Sequence, residues 1–194
     1  MALAGSDGTA GLWLWRHPRA QGANGRCIGR TDLPVDRRRA KRLAHRVRAT
    51  ARRYGLPRVV WTSPLQRCAQ VGRWLRRWGW QHQADARLSE LDFGRWDGRA
   101  WQDVPPAEVA QWEARFAEHA PGGGEALSAL LARALAFLQE QAGPQPLLVV
   151  GHAGWMQALA WHGAHAQPPR AEQWPAPPRH GTLLRLPHPA QAGA

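Results

Sequence analysis

The chain has 194 residues, 44% of them apolar and 21% charged, with 26 basic side chains against 14 acidic ones and a net charge of +12. That length suits one domain spanning residues 1–194, with its core about 12–186, and the composition excludes wholesale disorder and collagen-like repeats. Two cysteines, Cys27 and Cys68, in no metal-binding spacing exclude a disulfide scaffold. No apolar run reaches the roughly 20 residues that cross a bilayer, and the opening MALAGSDGTAG lacks an export signal, so a cytoplasmic location is expected.

Leu12-Trp13-Leu14-Trp15 is a continuous apolar run, the pattern of a strand covered on both faces, and it delivers Arg16 and His17 at its carboxyl end. A glycine-rich loop from Gly22 to Gly29 leads to a basic helix from about Val35 to Tyr54, closed by Gly55 and Pro57. Arg58 to Thr62 reads as a second strand. Ser63 as N-cap and Pro64 at the first helical position predict a helix over Leu65–Trp78, with Trp74, Leu75 and Trp78 on its apolar side and Arg67 in its first turn. Trp80 to Leu91 is strand-like and then a loop, running into the polar, aromatic segment from Ser89 to Gly98. Helical patterns follow at Pro106–Ala117 and Glu125–Gln141, and Leu147 to Val150 is another fully apolar strand, ending at Gly151-His152. Ala153 to His162 resumes a helix. A proline-rich connection from Pro168 to Pro178 precedes a last strand at Thr182–Leu186 and a frayed tail.

Alternating strands and helices predict a three-layer α/β/α sandwich on a mostly parallel sheet, whose ligands bind beyond the carboxyl ends of the strands. Three strand ends bring Arg16 with His17, Ser63 with Arg67, and His152 to that edge. Paired guanidinium groups beside a helix N-terminus suit a phosphate, and a neutral imidazole next to them is a nucleophile able to take a phosphoryl group. Neighbouring arginine charge lowers the histidine pKa and favours that neutral form. Glu90, in its loop between Leu88 and Leu91, is the candidate acid for the leaving oxygen, with Asp92 second. Most tryptophans, Trp13, Trp15, Trp74 and Trp78 among them, read as core; Trp96, Trp101 and Trp155 lie close in sequence to Glu90 or His152 and are candidates for the pocket wall. Cys27 has no partner base and takes no catalytic role. The positive charge is read as a compositional habit spread along the chain, with the block from Arg37 to Arg42 a solvated helix face, so a nucleic-acid partner is not expected.

These residues resemble the histidine phosphatases of the phosphoglycerate mutase-like superfamily, over roughly Leu12 to His162. The resemblance rests on Arg16-His17 after the first strand, Ser63-Pro64-Leu65-Gln66-Arg67, the loop from Leu88 to Trp96, Gly123-Gly124-Glu125, and Val149-Val150-Gly151-His152-Ala153-Gly154. It implies that His17 is the phosphorylated nucleophile, that Arg16, Arg67 and His152 hold the phosphoryl oxygens, and that Glu90 is proton donor and then base for water. No metal or cofactor is implied, and the partner is a small phosphorylated metabolite.

The segment from Gly25 to Pro34 and the Leu91-Asp92-Phe93-Gly94-Arg95-Trp96 loop look most like the α-ribazole phosphatase branch, which removes a 5′-phosphate in cobalamin assembly. Asn24, Gly29, Trp96 and Trp155 are the candidates for contact with substrate. The chain departs from the family at Pro18, where glycine is usual; proline has no N–H to offer a phosphate. The chain also lacks room for the insertions typical of true mutases, which favours a phosphatase. Three other readings stand beside it. One is a phosphatase or mutase for other small phosphorylated metabolites, and another is a basic nucleic-acid-binding protein on an inactive phosphatase fold. The third is a phosphohistidine signalling phosphatase, whose short relatives generally lack the Glu90 loop.

Overall fold

A computed structural model describes residues 11–187; the expected tail beyond the last strand and the first ten residues lie outside it. Five strands form one sheet: β1 (Leu12–Arg16), β2 (Val59–Thr62), β3 (Gln81–Ala84), β4 (Leu147–Gly151) and β5 (Leu183–Leu186). Their order is β3-β2-β4-β1-β5, with every neighbouring pair parallel except β1 and β5.

Period-two alternation explains why β1 and β4 are apolar throughout. Leu12, Leu14, Leu147 and Val149 enter one core cluster, while Trp13, Trp15, Leu148 and Val150 enter another on the opposite face. Helices α1 (Arg37–Tyr54) and α2 (Gln66–Arg77) cover the tryptophan face, and α4 (Leu127–Glu140) and α5 (Ala153–Ala164) cover the leucine face. The short α3 (Pro106–Ala114) stands over a third, smaller cluster with Cys27, Trp96 and Val104.

Helix α1 buries Ala40, Leu43, Ala44, Val47 and Ala51, a three-to-four spacing that puts its arginines outside. Asp36 caps its start, accepting from the Arg39 amide at 2.9 Å, and Gly55 closes it with a left-handed φ of 62°. The start of α2 differs from the sequence expectation. Residues 63–65 stay out of the helix, Leu65 occupies the cap position, and Ser63 Oγ accepts only the Leu65 amide, at 3.3 Å. The Gln66 amide instead donates to the carboxylate of Asp32, at 2.6 Å, so the cap comes from a distant loop. Helix α3 stops at Ala114 rather than Ala117, because Arg115 turns to φ −134°.

Register then places the site. Arg16 is the partner of Gly151 in the β1–β4 ladder, and the His17 amide donates to the Gly151 carbonyl at 2.9 Å, so His17 and His152 leave the sheet side by side. No helix of the described residues is long and apolar enough to cross a membrane.

Candidate active site

A cavity of about 500 Å³ opens at the carboxyl ends of β1, β2 and β4, and Arg16, His17, Arg67 and Glu90 all line it. The Nδ1 of His17 lies 2.6 Å from the carbonyl oxygen of Pro18. A carbonyl only accepts, so Nδ1 carries the proton, and in the neutral ring the lone pair is on Nε2. Burial, followed by the charge of Arg67, holds the His17 pKa well below its ordinary value, opposed only by the Pro18 hydrogen bond. The ring is therefore a neutral base at neutral pH. The expected loss at Pro18 has a counterpart, since proline keeps its carbonyl and uses it to fix the tautomer.

Arg67 is 1% exposed. Its Nη1 donates to the Thr31 carbonyl at 2.8 Å, its Nη2 to the Gly29 carbonyl at 2.6 Å and its Nε to His152 Nδ1 at 3.2 Å. Three of the five guanidinium hydrogens are thus consumed, leaving one on each Nη for a ligand. Arg16 donates through Nη1 to the Pro178 carbonyl, while its buried Nε has no partner among the described residues. Burying an unpaired donor costs about 1–3 kcal/mol, an expense that an anionic oxygen removes.

Glu90 is 9% exposed and sits across the cavity. Its Oε1 accepts from the Leu91 amide and its Oε2 from the Gly154 amide at the start of α5, both at 3.0 Å. A β-carbon on Gly154 would lie 2.6 Å from Glu90 Oε1, so only glycine permits this approach. The loop itself is tied by Arg133, whose Nη1 donates to the Arg87 and Ser89 carbonyls and whose Nη2 donates to that of Glu90. Arg133 is in turn paired with Glu125 at 2.6 Å.

Several expected residues take other places. His152 is fully buried behind His17, with ring centroids 5.0 Å apart, and does not line the cavity. Its Nδ1 accepts from Arg67, so Nε2 bears the hydrogen, 3.4 Å from Cys68 Sγ. With both nitrogens occupied by protein, the ring orients Arg67 instead of facing a phosphate. Gly29 acts through its carbonyl on Arg67, behind the cavity wall. Trp96 and Trp155 have no exposed surface and lie outside the cavity; their indole N–H groups are spent on Glu108 Oε2 and the Arg87 carbonyl. Asn24 does line it, with its side-chain oxygen accepting from Arg19, and so does Trp101. Burial and the nearby charge of Asp97 push the Cys27 thiol up to about 12 and keep it inert.

Three contributors escaped the sequence reading. His180 lines the cavity, its ring 5.2 Å from that of His17 and its Nδ1 3.2 Å from the His17 carbonyl. Asp97 gathers the amides of Gly29, Arg30 and Thr31 and the Thr31 hydroxyl on one carboxylate, and so shapes the turn whose carbonyls hold Arg67. The third is Arg133. The glycines flanking Asp97 and the position of His180 just before a strand were the available signals.

Away from the charged end the cavity is apolar, walled by Phe93, Trp101, Trp112, Phe116 and Trp174. Trp112 Nε1 and Arg16 Nε are the two buried side-chain donors without a partner among the described residues. Both residues line this cavity.

The comparisons with known proteins agree with this fold. TTHB049 from Thermus thermophilus is 29% identical, over 76% of this chain and 81% of that one, with a TM-score of 0.60. A mycobacterial glucosyl-3-phosphoglycerate phosphatase in complex with inorganic phosphate is 25% identical, covering 78% and 77%, with a TM-score of 0.63. Bacillus stearothermophilus YhfR superposes over 90% and 89% of the two chains with a TM-score of 0.72, and at 22% identity it speaks for the fold alone. No protein of curated function matches the chain. The sequence pattern of the histidine phosphatase superfamily (branch 1) matches residues 12–190, nearly the whole chain, and with the phosphoglycerate mutase-like sheet in place the chain belongs to that superfamily of phosphatases and mutases.

Proposed function

We propose that the protein is a phosphomonoester hydrolase that works through a phosphohistidine at His17 Nε2. The observation that carries this reading is the hydrogen bond from His17 Nδ1 to the Pro18 carbonyl, which leaves the Nε2 lone pair in a cavity shared with Arg16, Arg67 and Glu90. In the first step Nε2 attacks phosphorus and the ester P–O bond breaks. The proton of the Glu90 carboxyl passes to the leaving alkoxide, and the free hydrogens of Arg16 and Arg67 meet the charge that builds on the other phosphoryl oxygens. In the second step water attacks phosphorus, Glu90 takes back a proton, and the P–N bond breaks to release phosphate. His152, behind Arg67, keeps the guanidinium aimed.

The aromatic wall supports a substrate whose alcohol carries a flat ring, and the unpartnered Trp112 indole N–H supports a ring with an acceptor atom. A benzimidazole riboside phosphate has both, so α-ribazole 5′-phosphate, and with it a step in cobalamin assembly inside the cytoplasm, is the preferred reading. Similarity to a glucosyl-3-phosphoglycerate phosphatase keeps a second reading in view, a more polar small phosphorylated metabolite, which this wall serves poorly.

Phosphate release by the wild type and His17→Ala, without added metal, on α-ribazole 5′-phosphate beside a plain aryl phosphate tests both levels. Turnover by the wild type alone, with clear preference for the ribazole ester, is the expected result. Turnover of the aryl ester alone removes the substrate assignment, and full activity in His17→Ala overturns the mechanism.

A further inference from the structure

The positive charge is not spread along the chain. Residues 37–84 hold 14 of the 26 basic side chains and none of the 14 acidic ones, which leaves 12 basic against 14 acidic in all the rest. This stretch is α1, β2, α2 and β3, and the two helices pack together on the tryptophan face of the sheet, away from α4 and α5. Of the fourteen basic residues only Arg67 is buried, in the phosphatase cavity; the others lie at the surface. Among the described residues none of those thirteen forms an ion pair, since the carboxylates of Asp32 and Asp36 cap helix starts and that of Asp85 is held by Arg87.

Two hollows follow the seam between the helices. One, about 360 Å³, is lined by Arg37, Gln70, Arg73, Trp74 and Arg77, and the other, about 500 Å³, includes Arg48, Arg52, Arg58, Trp78 and Trp80. Each joins three guanidinium groups to indole and contains no carboxylate. Cations sit over the indole faces: the Arg77 guanidinium lies 5.0 Å and the Lys41 ammonium 5.2 Å from the centroid of the Trp74 ring, and the Arg48 guanidinium 5.1 Å from that of Trp78. A guanidinium held over a ring through its cationic centre can still donate N–H groups to an oxyanion. Arg38, Arg42 and Arg46 follow one another at a spacing of four on α1, as do Arg48 with Arg52 and Arg73 with Arg77, an arrangement that repels itself until an anion covers it.

We propose that the α1–α2 layer is a binding face for single-stranded nucleic acid, separate from the phosphatase cavity. Repeated hollows along a helix of about 27 Å fit a partner whose phosphates recur along a line, and guanidinium–indole pairs suit bases that are free to stack. A lipid surface fits less well, because this layer turns its apolar side chains into the core and Tyr54 is its one large exposed hydrophobic residue among those described. The proposal is independent of the hydrolase reading.

The test uses the full-length protein and a labelled single-stranded RNA of about 20 nucleotides with a 5′-hydroxyl, which offers the cavity no terminal monoester. Binding is followed between about 50 and 200 mM salt for the wild type, for the Arg37→Gln/Arg73→Gln/Arg77→Gln variant, and for Arg99→Gln/Arg115→Gln/Arg170→Gln, which removes the same charge elsewhere. The first variant is expected to bind at least about 10-fold more weakly and to lower the salt slope by about 2, with hydrolysis of a small monoester unchanged. The second is expected to bind within about 3-fold of the wild type. A wild type that does not bind, equal weakening in both variants, or equally tight binding to phosphatidylserine vesicles overturns the proposal. A second patch variant, Arg48→Gln/Arg52→Gln/Arg58→Gln, must weaken binding in the same way; retention of wild-type affinity there also overturns it.

Discussion

The carboxylate of Glu90 rests on the backbone of Gly154, Oε2 at 3.0 Å from the amide, so the group assigned to proton transfer is seated by a residue that has no side chain. Gly154→Ala puts a β-carbon 2.6 Å from the other carboxylate oxygen and must displace it. A displacement on the ångström scale costs about 100-fold in turnover. Alkyl phosphates, whose leaving oxygen needs the proton, are expected to lose more than aryl phosphates. Equal kcat values for wild type and variant on an alkyl ester, measured by phosphate release, remove Glu90 from the role.

Asp97 reaches Arg67 through two carbonyls. Asp97→Asn keeps the size of the side chain but replaces one acceptor oxygen with a donor, so the turn of Gly29, Arg30 and Thr31 loses part of its closure and Arg67 loses its fixed partners. The expected outcome is about 10-fold weaker inhibition by inorganic phosphate together with a lower kcat/KM, at the scale of one disturbed charge-assisted bond. A variant that unfolds earlier but binds phosphate as before assigns Asp97 to stability alone.

Trp112→Phe keeps the ring and removes the unpartnered N–H. For a ribazole-type ester KM is expected to rise about 2- to 10-fold, the range of one hydrogen bond, with an aryl phosphate that lacks an acceptor unaffected. Trp96→Phe, by contrast, removes a donor to Glu108 outside the cavity, so it should lower Tm and leave both KM values in place. A shared rise in KM for the two substrates contradicts the assignment.

Acid should weaken the fold before it reaches the carboxylates. His17 and His152 both have folded pKa values well below the ordinary imidazole value, from burial first and the Arg67 charge second. The unfolded chain therefore takes up protons at pH 6.5 and below while the native state does not, and stability present above that pH is lost as pH falls. Each group contributes a slope of about 1.4 kcal/mol per pH unit in that window. Urea midpoints at pH 7.5 and 5.5 measure it, and His17→Gln should flatten the dependence; an unchanged midpoint across that range contradicts neutral burial. The acid limb of kcat/KM is likewise expected below 6.5.

What the sequence made legible follows from physics that acts locally. Continuous apolar runs mark β1 and β4 because both their faces are covered, and residues just past such runs, His17 and His152, fall at the strand ends by necessity. Arg67 was readable from its place after a strand. The division of labour was not. Whether His152 faces a ligand or backs Arg67 depends on which nitrogen meets Cys68, and whether Trp96 or Trp112 walls the cavity depends on how loops from three parts of the chain stack. The cap of α2 shows the same limit: Ser63 carried the local signal, and Asp32 supplied the hydrogen bond. Glu90 was readable as the candidate acid, but Arg133, which ties its loop, and the seat that the Gly154 amide gives its carboxylate were not.

The order β3-β2-β4-β1-β5 also governs when a growing chain acquires the site. His17 follows the first strand, yet the middle of the sheet is filled by β4, made after both of the strands it separates. Until then β1 and β2 each present a bare apolar edge, and His17 has neither the Gly151 carbonyl to fix its backbone nor His152 behind Arg67. A nascent chain that has emerged only as far as α4 therefore has an incomplete site and is at its stickiest; β4 fills the gap between β1 and β2, and the segment from Trp174 to β5 then supplies the last of the cavity wall and covers the outer edge of β1.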